Sequence, residues 1–377
     1  MKTIPYGRQY IDRQDIRLVS KALKEDLITT GSYVKKFENK INKYLKCKYS
    51  VSCNSGTSAL YLALKSINLK KNDVIIMPSI TFVASYNVAK ILGCRIYLAD
   101  IDLNSSQMTP EKIIECCRKN KLKKVKAIVV MYNGGYPENA ENFIKLKKKY
   151  GSVIIEDACH ALGSSYRINN KIYKIGSCKH ADISTFSLHP VKTITSGEGG
   201  IVTTNKKKIF EKIKLLRSHG IKKNIQKHWK YDVQDISLNF RLSDIQCALG
   251  SSQFNKINRF ILKRKRISEI YCKYLETIKE ISFNKLKNNY HSAYHLFIIK
   301  INKKRAKEKL IEFMLKNKIM LQYHYIPIYK FKIYKKAETL KNAEEYFKTA
   351  VSLPIYYELS LKKQMIVINK LKEFFNT

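Results

Sequence analysis

The sequence has no apolar run of about 18 residues, so no segment is a candidate for a membrane-spanning helix. Its opening residues, MKTIPYGRQYIDRQD, lack the apolar core of a secretory signal. C-x-x-C pairs are also missing, and the nine cysteines show no regular spacing. Because a disulfide framework or a zinc site needs such spacing, we expect reduced thiols and no metal site. These absences predict a soluble cytoplasmic protein.

Acidic residues are scarce, since 30 Asp and Glu stand against 72 Lys and Arg, giving a formal net charge of +42. Such an excess is typical of proteins that bind nucleic acids, acidic membranes or small anions. The lysines are nevertheless spread from end to end and fall at helix-surface positions, as in Lys145–Lys149. This distribution favours a solvated surface over a nucleic-acid or membrane partner. Its positive field would still attract an anionic substrate.

With 377 residues, 45% of them hydrophobic, the chain can form a substantial core and more than one domain. In the first two-thirds, short β-branched apolar runs alternate with helical patterns. This alternation predicts an α/β fold, a mostly parallel sheet with helices on both faces. The predicted strands are Ser50–Cys53, Val74–Met77, Arg95–Ala99, Lys126–Met131, Val153–Asp157, Asp182–Ser187 and Gly200–Thr204. The predicted helices between them are Thr57–Ser66, Phe82–Leu92, Pro110–Lys119 and Glu138–Tyr150.

The two ends of the chain follow other patterns. An amphipathic helix opened by Asp12 comes first, with Ile16, Val19 and Leu23 as its apolar side chains. From about residue 250 the pattern is that of a smaller α+β domain. We therefore expect a large domain at residues 1–250 and a small one at residues 251–377. The elements predicted there are a helix Ser252–Glu280, a strand Tyr294–Ile301, a helix Lys304–Asn317 and a helix after Ser360.

Polar motifs follow three of the predicted strands, at the carboxyl ends where open α/β sheets collect their ligands. The first, Asn54–Leu60, opens a helix. Gly56 allows close approach of a ligand, Thr57 offers a hydroxyl, and the free N–H groups of the helix start suit a phosphate. Taken alone, the motif fits an ordinary Ser/Thr helix cap better than a phosphate site.

The second motif is Glu156–His160, in which Asp157 can fix a cationic group and His160 can assist it. Alone, it also fits a loop-capping aspartate beside a satisfied histidine. The third motif, FSLHPVKTITSGEGG, places Lys192 five residues after Ser187 and before a glycine-rich return. Its glycines lack the dinucleotide-binding spacing, and a lone lysine in a turn is usually solvated.

At one edge of a sheet, the three motifs together meet the needs of pyridoxal phosphate (PLP). The aldehyde of this cofactor needs an amine, its pyridine nitrogen needs a carboxylate, and its phosphate needs N–H groups and hydroxyls. Lys192, Asp157 and the turn at Gly56 and Thr57 supply these groups. The combination predicts a PLP enzyme, which none of the motifs predicts alone.

The motifs SGTSAL, EDACHALG, SLHPVKTITSGEGG, RSHGI and NFRLSDIQCALG, in this order, resemble the DegT/DnrJ/EryC1/StrS family of PLP-dependent sugar aminotransferases. The resemblance runs from Tyr6 to the end of the chain. It implies the aspartate-aminotransferase-like fold, with a mostly parallel seven-stranded sheet. IPYGRQYIDRQD, QYHYIPIYKFKIY and AEEYFKTAVSLPIYYELS are most similar to the branch of the family that acts in pseudaminic acid biosynthesis.

The resemblance implies roles for individual positions. Lys192 matches the lysine that forms a Schiff base, Asp157 the partner of the pyridine nitrogen, and His160 a group near the ring hydroxyl. The other implied cofactor-binding positions are Gly56, Thr57 and Ser187 at the phosphate, Phe82 stacked on the ring, and Asn239 from the neighbouring subunit. The last of these implies a homodimer with a shared active site.

On the substrate side, the resemblance implies L-glutamate as amino donor and a UDP-linked 4-keto-6-deoxy-N-acetylhexosamine as acceptor. The matching positions are Tyr6, Asp26, Leu27, Ile28, Thr29, Gln322, Tyr323, His324 and Tyr325. The last four also fit a half-buried strand or a basic aromatic nucleic-acid surface.

Three alternatives remain at the level of the sequence. A family dehydratase would carry histidine in place of Lys192, so the lysine favours transamination. A transaminase for another UDP- or dTDP-linked keto sugar would keep the same motifs. A nucleic-acid-binding protein on an inactive scaffold is disfavoured by the intact set of Lys192, Asp157 and Thr57.

Overall fold

The computed structural model describes residues 2–224, 226–227, 229–302, 306–334 and 339–376. The described helices are α1 (Arg13–Ala22), α2 (Ser32–Leu45), α3 (Gly56–Ser66), α4 (Val83–Ile91), α5 (Pro110–Lys119), α6 (Ile144–Tyr150), α7 (Lys207–Arg217), α8 (Asp244–Phe254), α9 (Ile257–Leu275), α10 (Ala306–Lys316), α11 (Lys341–Thr349) and α12 (Leu361–Asn376). The described strands are β1 (Tyr49–Cys53), β2 (Val74–Pro78), β3 (Arg95–Ala99), β4 (Ala127–Met131), β5 (Val153–Asp157), β6 (Ser165–Ile168), β7 (Lys171–Lys174), β8 (Ile183–Ser187), β9 (Gly200–Thr204), β10 (Ile221–Lys223), β11 (Tyr231–Val233), β12 (Ile281–Phe283), β13 (Tyr290–His291), β14 (Phe297–Ile301) and β15 (Ala350–Leu353).

Within the described residues, seven strands form a central sheet in the order β1-β9-β8-β5-β4-β2-β3. From β8 to β3 all neighbours are parallel, while β9 runs antiparallel to β8 and to β1. Strands β4 and β9 are buried along their whole length because apolar clusters cover both faces of the sheet. The predicted α/β fold with a mostly parallel seven-stranded sheet is confirmed.

The strands predicted for this sheet agree with the observed ones, but three other predicted elements are too long. The helix Ser252–Glu280 is wrong as a single element, because turn bonds at Asn255 and Lys256 separate α8 from α9. The helix Glu138–Tyr150 begins only at Ile144, since Asn139 has a left-handed backbone (φ 63°). Tyr294 (φ 50°) likewise cannot start a strand, so β14 begins at Phe297. Lys304, the predicted start of another helix, lies outside the described residues.

A second, antiparallel sheet of β12, β14 and β15 packs with α9, α10 and α12 around one apolar cluster. The N-terminal segment joins this part of the molecule, since Ile4 pairs with Ile319 and the Tyr6 carbonyl accepts the N–H of Ile355. The predicted domain boundary at residues 250 and 251 falls inside α8 and stays a prediction. None of the helices in the described ranges is long and apolar enough to cross a membrane.

Helix α1 is anchored by a buried ion pair in addition to the core contacts of Ala22 and Leu18. Asp12 caps the helix as predicted. Asp15 is fully buried, and its Oδ2 accepts hydrogen bonds from Lys256 Nζ at 2.6 Å and Gln253 Nε2 at 2.8 Å. Ile16 and Leu23, by contrast, are 60% and 55% exposed. The ion pair therefore sets the rotation of α1 against α8 and turns these two side chains outward.

We predict that Lys256→Met destabilises the fold by about 3–5 kcal/mol, because it leaves the Asp15 carboxylate buried without its cation. The double variant Lys256→Met/Asp15→Leu should recover most of this loss, since both charges are then removed. Urea unfolding of the two variants and the wild type measures the difference. A single variant as stable as the wild type would contradict this account of α1.

Candidate active site

A cavity of about 490 Å³ opens at the carboxyl edge of the central sheet. Strands β1, β5 and β8 end at this edge, and the loops that follow them form one wall. The N-terminal segment and residues 322–325 form the opposite wall. The lining residues are Tyr6, Ser55, Gly56, Thr57, Leu60, Phe82, Ala84, Met131, Asp157, Cys159, His160, Ser187, His189, Val191, Lys192, Glu198, His295, Gln322, Tyr323, His324 and Tyr325.

The start of α3 lies directly against the end of β8. A Cβ atom on Gly56 would come within 2.8 Å of Ser187 Cβ, so only glycine fits this contact. The first N–H groups of a helix have no acceptor within it. Ser55 Oγ accepts the N–H of Ser58 at 3.0 Å, which leaves those of Gly56 and Thr57 available for an anion beside the Ser187 hydroxyl.

Asp157, the last residue of β5, presents a buried carboxylate to the cavity. It is 3% exposed. Ser85 Oγ in α4 donates to its Oδ2 at 2.9 Å, and the N–H of Cys159 donates to its Oδ1 at 3.3 Å. These two hydrogen bonds fix the orientation of the carboxyl group. The carboxylate is thus placed to hold a cationic group at the sheet edge.

Lys192 lies in the loop between β8 and β9, and its backbone N–H donates to the His189 carbonyl at 2.9 Å. Gly197 has a left-handed backbone (φ 82°), which lets this loop return into β9. Although the cavity is open and the residue is partly exposed, burial of its ammonium lowers the pKa of Lys192. The nearby Cys159 and Asp157 act in the opposite direction. The net effect is a lowered pKa, which increases the neutral fraction of the amine relative to a solvated lysine.

Histidines surround this amine. His160 Nδ1 accepts the N–H of Gly134 at 3.3 Å, so its proton resides on Nε2, which is 3.0 Å from Tyr325 Oη. Burial, together with the charge of Lys192, holds the pKa of His160 and His295 well below their usual range. The same causes lower the pKa of His324 to about 3. All three imidazoles are therefore neutral near pH 7.

Of the residues matched to the substrate, Tyr6, Gln322, Tyr323, His324 and Tyr325 line the cavity. The ring of Tyr6 lies 5.7 Å from that of His324. The ring of Phe82, a predicted cofactor contact, lies 5.8 Å from that of Tyr325 at the mouth. The structure therefore brings these six aromatic and polar side chains together.

Asp26, Leu27, Ile28 and Thr29 lie outside the cavity of their own chain. They form an exposed segment between α1 and α2, tied to the start of α8 by the hydrogen bond from the N–H of Asp244 to the Ile28 carbonyl. Asn239 is also exposed and outside the cavity, and its Oδ1 accepts the N–H of Arg241 at 3.2 Å. None of these predicted site residues lines the cavity of its own chain.

The groups around the cavity fit PLP. Lys192 offers the amine, Asp157 the carboxylate, and the start of α3 offers free N–H groups beside the Ser187 hydroxyl, where a phosphate can be bound. Among the described residues, no group of three or more His, Cys, Asp or Glu could hold a metal ion. The arrangement suits proton transfer at a carbon atom held beside the amine.

Sequence reasoning missed Ser85 and His295, and it missed the contact between Tyr325 and His160 although it named both residues. Ser85 meets Asp157 from 72 positions away, and Tyr325 meets His160 from 165 positions away, so neither pair leaves a local pattern. His295 packs 4.2 Å from the His160 ring, between ring centroids, yet it precedes a strand that reads as ordinary core. Cys159 and His189 were also not named, although both lie within motifs that the sequence analysis had recognised.

A model of the DegT/DnrJ/EryC1/StrS aminotransferase family matches residues 9–372. The chain is 38% identical over 369 residues to UDP-4-amino-4,6-dideoxy-N-acetyl-beta-L-altrosamine transaminase of Campylobacter jejuni, covering 97% of this chain and 95% of the relative. Among solved structures, Helicobacter pylori PseC, an aminotransferase involved in the biosynthesis of pseudoaminic acid, is 30% identical and superposes with a TM-score of 0.90 over 100% of both chains.

The PLP form of the sugar aminotransferase Spr1654 from Streptococcus pneumoniae has the same fold, with a TM-score of 0.90 over 99% of both chains at 24% identity. The family model spans nearly the whole sequence, and the relatives are covered over nearly their whole length. This chain belongs to the DegT/DnrJ/EryC1/StrS aminotransferase family.

Proposed function

We propose that the chain is a PLP-dependent transaminase that moves the amino group of L-glutamate to C4 of a UDP-linked 4-keto-6-deoxy-N-acetyl-L-hexosamine. The 4-amino product would serve pseudaminic acid or related surface-glycan biosynthesis. The observation that carries the proposal is the meeting of Lys192, Asp157 and the Gly56–Ser187 contact around one cavity. The names of the relatives from Campylobacter jejuni and Helicobacter pylori support the substrate class.

Each proposed cofactor contact follows from the geometry of the cavity. The start of α3, with Thr57 and the Ser187 hydroxyl, would hold the phosphate. Asp157 would hold the ring nitrogen in its protonated form, and Phe82 would cover one face of the ring. When bound, the cofactor supplies an aldehyde that exchanges amino groups and a ring that withdraws electrons from the reacting carbon.

Lys192 then has two tasks. Its Nζ anchors the cofactor between turnovers, and during turnover it accepts the proton from Cα of glutamate and later delivers a proton to C4 of the sugar. The lowered pKa of Lys192 increases the neutral fraction that this task requires at neutral pH. Neutral His160, His295 and His324 add no competing charge to the cavity.

His160 is the group proposed to face the ring hydroxyl of the cofactor. Its tautomer is set by the N–H of Gly134, and its Nε2 is engaged by Tyr325 Oη. Tyr325 therefore links the cofactor side of the cavity to the substrate wall formed by Tyr6, Gln322, Tyr323 and His324. A nucleotide sugar entering past this wall would meet the cofactor at one end.

We also propose a homodimer in which Asn239 and the Asp26–Thr29 segment enter the cavity of the other subunit. Their exposed positions outside their own cavity support this arrangement. Large apolar side chains near these positions in the sequence are exposed, and exposed apolar side chains that cluster mark protein interfaces. The exposed side chains are those of Ile16, Leu23, Leu27, Ile28, Ile236 and Leu238, which are 47–85% exposed.

The first test is spectroscopic and chemical. Protein loaded with PLP should be yellow and lose that absorbance with glutamate. It should then release 2-oxoglutarate catalytically in the presence of the UDP-linked keto sugar. A panel of UDP- and dTDP-linked 4-keto sugars separates this substrate from the alternative, a transaminase for another keto sugar. Protein that binds no PLP and takes up RNA with a steep salt dependence would refute the proposal.

Lys192→Ala should reduce turnover by at least about 10³-fold while leaving a folded protein, because the proton-transferring amine is lost. The absorbance change with glutamate should disappear with it. Lys208→Ala, an exposed lysine of α7, is the matched control and should behave as the wild type. Retained transamination in Lys192→Ala would contradict the assigned role.

Asp157→Ala should weaken PLP retention and slow both half-reactions by about 10²-fold or more, because the ring nitrogen loses its charged partner. Equilibrium dialysis of PLP and stopped-flow absorbance measure the two effects. Glu156→Gln is the control variant. The Glu156 carboxylate accepts hydrogen bonds from Tyr132 and Ser184, so its replacement should leave PLP retention and the rates of both half-reactions unchanged. Near-normal rates in Asp157→Ala would remove this residue from the site.

Mixing inactive Lys192→Ala chains with inactive Asn239→Ala chains tests the shared site. Random reassortment makes about half of the dimers mixed, each with one intact cavity, so about one quarter of the wild-type activity should return. Each variant mixed with itself is the control. Absence of recovery, with subunit exchange verified by tagged chains, would place Asn239 in its own subunit's cavity or outside the site.

A further inference from the structure

Lys307 in α10 is a buried lysine that takes no part in the catalytic chemistry described above. Its side chain is 1% exposed. The nearest carboxylate among the described residues, that of the exposed Glu308, is 3.9 Å away. Burial lowers the pKa of Lys307, as expected for an ammonium with so little compensation. A lysine kept in such a place needs a physical reason.

The ammonium of Lys307 lies between two aromatic rings. Its Nζ is 4.3 Å from the ring centroid of Tyr323 and 4.3 Å from that of Phe347. The two rings lie 5.8 Å apart, at 67° to each other. A cation over an aromatic face is attracted by the electrons of the ring, and more strongly when water is excluded. The ammonium therefore fixes where the Tyr323 ring lies.

Lys307 also donates a hydrogen bond to the Phe347 carbonyl in the last turn of α11. That carbonyl lies at the negative end of the helix, where a cation is favoured. Helix α11 also contacts the cavity wall through Tyr346, whose Oη donates a hydrogen bond to the His324 carbonyl at 2.6 Å. α10 and α11 thus brace the segment that contains Gln322, Tyr323 and His324.

Tyr323 is the member of this group that reaches the catalytic cavity. Tyr323 lies in a part of the chain that lacks the regular pairing of a strand interior. Without the ammonium beneath it, the ring could take other rotamers toward the opening. Its position in the cavity wall then depends on a residue that does not itself line the cavity.

We propose that Lys307 is a positioning residue for nucleotide-sugar binding, acting through the ring of Tyr323. The inference rests on the proposed function, since it takes the wall at Tyr323 as the surface that meets the nucleotide sugar. It predicts a separation between the two half-reactions. Glutamate should react normally, whereas the keto sugar should bind less tightly.

The test uses the PLP-loaded full chain and the variant Lys307→Gln. Glutamine can still donate to the Phe347 carbonyl but carries no charge, so the end of α11 stays capped while the cation–π contacts are lost. KM for the UDP-linked keto sugar should rise roughly 10-fold, the loss expected for a desolvated cation–π contact. The rate at which glutamate removes the yellow absorbance should stay within about 2-fold of the wild type.

Two further variants separate positioning from stability. Lys309→Met changes an exposed lysine of the same helix and should leave KM unchanged. In Tyr323→Leu the ring is already gone, so adding Lys307→Gln should raise KM no further. Calorimetric titration of the UDP-linked amino-sugar product into the same proteins should show the same pattern in Kd. Lys307→Arg, which retains the charge, should recover part of the affinity.

Three results would overturn the inference. They are an unchanged KM in folded Lys307→Gln, an equal loss in both half-reactions, and an additive effect in the double variant. Should Lys307→Gln not fold, Lys307→Arg and Tyr323→Leu carry the same comparison, and an unchanged keto-sugar KM in Tyr323→Leu would refute it. If wild-type protein shows no reaction with glutamate, the proposed function itself fails, which this design detects before any variant is measured.

Discussion

The site depends on how closely the backbone at the start of α3 approaches the ends of β8 and β9. A Cβ on Gly56 would lie 2.8 Å from Ser187 Cβ, and one on Gly200 would lie 2.1 Å from the Ser55 carbonyl oxygen. Any side chain at either position would push α3 away from the sheet. The helix start and the Ser187 hydroxyl keep their spacing only because glycines occur where the chain segments meet. The glycines of the motifs SGTSAL and SGEGG therefore fix the distance between the start of α3 and the sheet. Because this requirement falls on short contiguous segments, it can be recognised in the sequence.

The second constraint on the site is the burial of its ionisable side chains away from water. Lys192 and four histidines line one cavity, and burial keeps the imidazoles of His160, His295 and His324 neutral while it lowers the pKa of the amine. Arg264, buried below the cavity, adds a positive charge there. It donates to the carbonyls of His295 and Ile355, and although burial lowers the pKa of Arg264 to about 10, it remains charged at neutral pH. Its field further disfavours protonation of His295. The cavity is thus basic in composition but holds few positive charges of its own.

Much of this arrangement could be predicted from the sequence, because the central strands are short apolar runs and the residues near the cofactor follow them directly. The strand ends place Asp157 and Ser187 at one edge once a parallel sheet is assumed. The break between α8 and α9 was not predicted, since neither glycine nor proline marks it and the turn bonds at Asn255 and Lys256 leave no local pattern. The support of Asp157 by Ser85, and of Tyr323 by Lys307, also requires the tertiary structure. Periodicity reports which residues are buried, but not which partner a buried polar group meets.

Helix α1 shows how such a polar contact can decide the surface of the molecule. Its apolar side chains predict a buried face, yet the pair of Asp15 with Lys256 turns that carboxylate inward and leaves Ile16 and Leu23 in solvent. Exposing two large aliphatic side chains forgoes roughly 3 kcal/mol or more of burial energy, which is poor use of an amphipathic helix in a monomer. Leu27 and Ile28, in the segment proposed to enter another subunit's cavity, follow α1 in the sequence and are also exposed. If a second copy covers these side chains, the ion pair holds α1 against its own chain while Ile16 and Leu23 pack against the second copy. The apolar pattern of α1 and its buried ion pair are then compatible.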